Sequence, residues 1–182
     1  MTTSVVVCDL DGTLSKYPGS DFRSLFTKAI DFSGTKNSNV VKDHLEAAKK
    51  SAELMVNRFN EVEIELLVNN VKYLHQKYGK IILLSMNFKL VAVEYIKELS
   101  LLEYFDVENS FFRENMNPGN PRKQDVWDKL LIEYTTGFIC IDDDKDILEK
   151  LKKITKDIDV KFIHANEWLG QIKIEDLLNC PF

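Results

Sequence analysis

The sequence predicts an α/β protein: a parallel sheet with helices covering both of its faces. Three observations carry this. The run Val5-Val6-Val7-Cys8 is short, apolar at every position and built of strong strand formers, which suits a central strand buried on both sides. From Val62 onward, segments with helical spacing alternate with apolar strand-like runs, the order expected of βαβ units. Several of those runs end in polar residues, Asp9 and Asp11, Ser85, then Asp142 and Asp143, at the edge where open α/β sheets hold their ligands.

The elements follow in order. After Leu14, Pro18 and Gly19 mark a loop, and Ser20 or Asp21 can cap a helix with Phe22, Leu25, Phe26, Ala29 and Ile30 on one face. A polar turn at residues 33–39 precedes a second helix with Val41, Leu45, Ala48, Ala52, Met55 and Phe59 inward. A third runs from about Val62 to Tyr78 and stops at Gly79. Ile81 to Leu84 is the second strand. Asn87 is placed to cap the next helix, which carries Ala92, Tyr95, Ile96 and Leu99. A weaker strand is expected around Asn109 to Phe112, then a loop from Glu114 to Asn120. Asn120 as N-cap and Pro121 at the first helical position open a further helix. Gly137 to Ile141 is a strand running into Asp142-Asp143-Asp144-Lys145-Asp146; Ile147 to Ile154 is a helix, Val160 to Ala165 a strand, and Ile174 to Leu178 a short final helix.

Composition narrows the class. The 182 residues fit one domain with a small appendage, and 45% hydrophobic with 29% charged residues is ordinary for a soluble globular chain. A net charge of -5 supplies no basic excess for phosphate backbones, so no nucleic-acid partner is expected. No apolar stretch nears the ~20 residues of a membrane helix, and Met-Thr-Thr-Ser lacks the order of a signal peptide. Three cysteines, two inside apolar runs, read as reduced thiols in a cytoplasmic protein; export by a route without an N-terminal signal is a separate matter. His44, His75 and His164 show no zinc spacing. Trp127 and Trp168 read as packing.

Asp9 and Asp11, at i and i+2 on an extended segment, point the same way, and Gly12 lets the chain leave the strand steeply. Carboxylates converging from Asp9, Asp11, Asp142, Asp143 and Asp146 repel one another unless a cation neutralises them. Hard oxygen ligands suit Mg²⁺, which takes one or two carboxylates plus substrate phosphate and waters. Ser85 and Lys123 offer a hydroxyl and an ammonium for a phosphoryl group. A carboxylate can itself attack phosphorus, and its neighbour two residues on can protonate the leaving oxygen and later activate water. Asp144 reads as solvated or as a cap for the next helix.

VVVCDLDGTL, then a strand-end Ser85, then Lys123, then FICIDDDKD resembles the haloacid dehalogenase (HAD) superfamily of phosphohydrolases from Val5 to about Ala165. The resemblance implies a doubly wound, Rossmann-like core over residues 1–14 and 61–182, with a small helical cap insert over residues 15–60 after the first strand. It implies Asp9 as nucleophile and Mg²⁺ ligand, and Asp11 as general acid/base touching the metal through its backbone carbonyl. Gly12 and Thr13 would shape the loop. Ser85 would hold a phosphoryl oxygen, and Lys123 would balance charge. Asp142 matches the metal-binding acid of the last motif, with either Asp143 or Asp146 as the second. Many relatives carry proline after the lysine, whereas Pro121 precedes Lys123 here, so Arg122 and Lys89 stand as alternatives.

The expected activity is Mg²⁺-dependent hydrolysis of a phosphate monoester through an aspartyl-phosphate, by a monomer or homodimer. An insert smaller than the full helical caps of relatives favours a bulky ester such as a phosphotyrosine protein. A small-metabolite phosphatase, a phosphotransferase or mutase, and a catalytically silent binding module are the alternatives.

Overall fold

The computed structural model describes residues 5–17, 21, 24–26, 40–116, 122–134, 137–155 and 159–179. Among the described residues, four parallel strands form one sheet: β1 (Val5–Cys8), β2 (Ile81–Leu83), β3 (Phe138–Asp142) and β4 (Val160–His164). Their spatial order is β2-β1-β3-β4. β1 pairs Val7 with Ile82 on one side and Val7 with Cys140 on the other, and β3 pairs Asp142 with His164. All strands point one way, so the residues following β1, β2 and β3 leave the same edge.

Alternation along the strands builds two cores. Val6 and Cys8 face one side with Ile81, Leu83, Ile139 and Ile141. Val7 faces the other with Phe138, Cys140 and Phe162. The first side is covered by α1 (Val40–Val56), α2 (Glu61–Tyr78), α3 (Lys89–Glu98) and α6 (Ile174–Asn179). The second is covered by α4 (Gln124–Glu133) and α5 (Lys145–Ile154), through Val126, Trp127, Leu130, Leu148 and Leu151. This is the doubly wound arrangement, and it explains why β1 and β3 are apolar at nearly every position.

α1 packs along α3, its small residues Ala48 and Ala52 fully buried. Of the helix expected before it, residues 21 and 24–26 are helical and most of the remainder lies outside the described residues. α2 starts with a reciprocal cap: Asn60 accepts from the Glu63 N–H, and Glu63 accepts from the Asn60 N–H. Further along, the buried Asn70 side chain donates to the Leu169 and Ile172 carbonyls and accepts from the Ile174 N–H. That one amide ties the loop before α6 to the helical layer. Among the described residues, no helix is long and apolar enough to cross a membrane.

Two local expectations need correction. The strand expected at Asn109 to Phe112 is a single bridge, Phe111 to Leu84. The Leu83 N–H is taken by the Ser110 hydroxyl, which itself donates to the Asp106 carbonyl; a side chain thus occupies a ladder position and the pairing stops. Asn87 does not cap α3 from the N-cap position, which falls to Phe88. The Lys89 N–H instead meets both oxygens of Glu114, which places a carboxylate at the positive end of α3. Asn120 and Pro121 lie outside the described residues, and α4 starts at Gln124.

Candidate active site

Because the sheet is parallel, β1 and β3, adjacent in space, deliver Asp9 and Asp142 side by side. The Asp9 N–H continues the ladder to the Ile141 carbonyl at 2.9 Å, so its backbone is still fixed by the sheet. Both side chains are buried, as is Lys123 just before α4. The Lys123 ammonium sits between them, 2.9 Å from Asp9 Oδ1 and 2.6 Å from Asp142 Oδ2. The alternatives lie elsewhere: Lys89 is 3.6 Å from Glu108, and Arg122 is 3.7 Å from Asp125.

Burial pushes the Asp9 carboxyl well above its ordinary range; Lys123 opposes this, while Asp142 and Asp11 add to it. Asp142 is raised by burial too, against the pull of Lys123 and the Asp144 N–H. Burial alone would lower Lys123, but its two carboxylate neighbours outweigh that and hold it charged. One ammonium faces two buried carboxylates, so the pocket is short of positive charge.

Asp143 joins this group from the surface. One oxygen from each of Asp9, Asp142 and Asp143 lies within 4.8 Å of the others. Gly12 makes room for it: with φ at +89°, a Cβ there would run into the Asp143 carboxylate. Asp146 lies outside this group, exposed in the first turn of α5. Asp144 caps that helix, accepting from the N–H groups of Asp146 and Ile147. A hard, all-oxygen donor set with a charge deficit fits Mg²⁺.

Asp11, expected from its spacing to point the same way as Asp9, turns instead to the end of β2. Its Oδ2 is 3.4 Å from the Ser85 hydroxyl and its Oδ1 is 3.2 Å from Asn87 Nδ2. The loop that carries it is tight: Gly12 N–H donates to the Ser15 carbonyl, and the N–H groups of Leu14 and Ser15 both donate to the Leu10 carbonyl. Ser85 is fully buried and its hydroxyl also accepts from the Asn87 N–H. Asn87 is thus a site residue that the sequence reading assigned to helix capping. Its spacing from Ser85, two residues along a strand end, is the local signal for it.

Phe88, next in the chain, borders this cluster. Phe26 from the segment before α1 lies 5.8 Å from its ring, and the Arg113 guanidinium lies 5.7 Å above it.

No protein-family model matches the sequence, and no curated protein matches it. Among solved structures, the chain is similar to the HAD domain of the effector protein Lem4 from Legionella pneumophila. The TM-score is 0.54 at 22% identity, over 96% of this chain and 91% of that one. An inactive mutant of the same domain gives 0.54 at 21% identity, over 97% and 91%. A haloacid dehalogenase-like family hydrolase from Streptococcus pneumoniae is similar at 0.49 and 19% identity, over 98% and 91%. The parallel strand order, the helices on both faces and the likeness to the Lem4 domain together give this chain the haloacid dehalogenase-like fold.

Proposed function

We propose that the chain is a Mg²⁺-dependent phosphatase that hydrolyses a phosphate monoester through an aspartyl-phosphate on Asp9. The observation that carries this reading is the buried Asp9–Lys123–Asp142 array with Asp143 beside it. Asp9, Asp142 and Asp143 would hold the metal, the Asp11 carbonyl joining them on the strength of the family resemblance. Bound there, Mg²⁺ supplies positive charge to the phosphoryl oxygens and offsets the carboxylates around it.

The residues of the chain divide the work. An Asp9 carboxylate oxygen attacks phosphorus; the new O–P bond forms as the bond to the ester oxygen breaks. Asp11 gives its proton to that departing oxygen. Lys123 holds Asp9 by one oxygen, which orients the other, and places a fixed cation where charge gathers in transfer. In the second half, Asp11 takes a proton from water as the water attacks phosphorus. The O–P bond to Asp9 breaks, and inorganic phosphate leaves with the carboxylate restored. Ser85 would turn its one hydroxyl proton from Asp11 to a phosphoryl oxygen when substrate binds.

Hydrolysis of an aryl phosphate is expected with Mg²⁺, and its loss in excess chelator. Ca²⁺ is expected to inhibit, because a larger ion that accepts more ligands would engage the carboxylate oxygen Asp9 needs for attack. Full activity in chelator would overturn the reading.

For substrate, the reading is a bulky ester with phosphotyrosine in a peptide as the example. It rests on the modest insert over residues 15–60 and on the aromatic ring of Phe88 with the Arg113 guanidinium above it. The check is kcat/KM for phosphopeptides against small phosphorylated metabolites. A preference of about a hundredfold, ~2.7 kcal/mol, for one metabolite would reverse it.

A further inference from the structure

We infer that Asn87 is a positioning residue for Asp11, fixing the carboxylate that exchanges protons with the leaving group and with water. The inference rests on the phosphatase reading and adds to it a residue outside the motifs that carry the resemblance.

Asn87 is 1% exposed, and its hydrogen bonds leave its side chain one orientation. Oδ1 accepts from the Phe88 N–H at 2.9 Å. A backbone N–H can only donate, so that end of the amide must be the oxygen. The NH₂ end then faces Asp11, at 3.2 Å from Oδ1. The backbone is held as well: the Asn87 N–H donates to the Ser85 hydroxyl at 3.0 Å, and its carbonyl accepts from the Arg113 N–H at 3.1 Å. Ser85 holds the other Asp11 oxygen, at 3.4 Å. Before substrate binds, two donors from the end of β2 thereby meet a carboxylate from the end of β1, one on each oxygen; when Ser85 turns its one proton to the phosphoryl group, Asn87 is the donor that stays.

This arrangement separates two carboxylates of neighbouring position and different task. Asp9 is engaged by Lys123, and Asp11 is held from the β2 side, away from the Asp9–Asp142–Asp143 group. A proton donor must keep its distance and angle to the leaving oxygen to be effective. An amide serves this better than a charged donor, because it orients the carboxylate without adding a cation beside it.

The experiment separates proton transfer from phosphoryl transfer by leaving group. Phenyl phosphate needs its leaving oxygen protonated; 2,4-dinitrophenyl phosphate does not. In Asn87→Leu, kcat/KM for phenyl phosphate is expected to fall about tenfold or more. For 2,4-dinitrophenyl phosphate kcat/KM should stay within about twofold, with a burst of dinitrophenolate because water attack on the phospho-enzyme also slows. Asn87→Asp keeps the acceptor for the Phe88 N–H, replaces the donor with a carboxylate, and is expected to give the same split; it decides the matter if the leucine variant does not fold. An equal loss for both esters in a folded variant, or no change in either, would overturn the inference. Wild-type protein inactive on both esters with Mg²⁺ would overturn the phosphatase reading itself, and shows in that arm alone.

Discussion

Asp9→Asn is expected to reduce turnover of an aryl phosphate below about a hundredth of wild type, a barrier increase of at least ~2.7 kcal/mol. The amide keeps the shape of the side chain and loses the nucleophile, so no O–P bond to position 9 can form. The fold should survive. Asp9 is buried and its ionised form is disfavoured there, while Lys123 retains Asp142 at 2.6 Å after the substitution. Steady-state hydrolysis with acid trapping of the phospho-enzyme makes the check, alongside a thermal melt within a few degrees of wild type. Residual activity above a hundredth would count against covalent catalysis.

Lys123→Met is expected to remove activity and also to destabilise the protein, by about 3–5 kcal/mol at neutral pH. Two buried carboxylates then face each other without their cation. For 182 residues this is a melting decrease on the order of 10 °C. The pH dependence is the sharper readout. With the ammonium gone, burial and mutual repulsion raise Asp9 and Asp142 further above their unfolded values. An acid whose folded pKa is raised binds more protons folded than unfolded. Its protonated form therefore favours folding at low pH, and that advantage is lost as pH rises through the raised value. The wild type carries the same trend more weakly, because Lys123 opposes it. The stability gap between variant and wild type should accordingly be small near the ordinary carboxylate range and full at neutrality. Denaturant melts across that interval test it, and a gap that does not change with pH would show that Lys123 matters for packing alone.

The sheet was legible because its signal is local. Val5 to Cys8, Ile81 to Leu83 and Phe138 to Ile141 are apolar at consecutive positions, and strands buried on both faces leave that mark. Asp144 as a helix cap is equally local, since its partners are two and three residues on. The site was legible as residue types and less so as pairings. Lys89, Arg122 and Lys123 are three cations in one sequence, and only the distances to Asp9 and Asp142 separate them. Asp143 and Asp146 differ in the same way, one grouped with the buried acids and the other on the outer turn of α5. Asn87 was misread because an asparagine before a helix usually caps it; the Glu114 carboxylate that meets the Lys89 N–H comes from a segment no local pattern connects to α3. The same holds for Ser110, whose hydroxyl ends the pairing at Leu83.

The position of β1 between β2 and β3 has a consequence for synthesis of the chain. Asp9 is made long before the strand that fixes its neighbour Asp142, which is made only from position 138 on. At about 5–20 residues per second on the ribosome, the nascent chain spends on the order of ten seconds with β1 made and β3 missing, and for roughly the first half of that time β2 is missing as well. Throughout that interval Asp9 has neither Asp142 nor, until position 123, its lysine. Such distant pairing also slows the final closure of the sheet. The array of Asp9, Lys123 and Asp142 therefore assembles only once β3 has been made, and a product truncated before β3 carries Asp9 without Asp142.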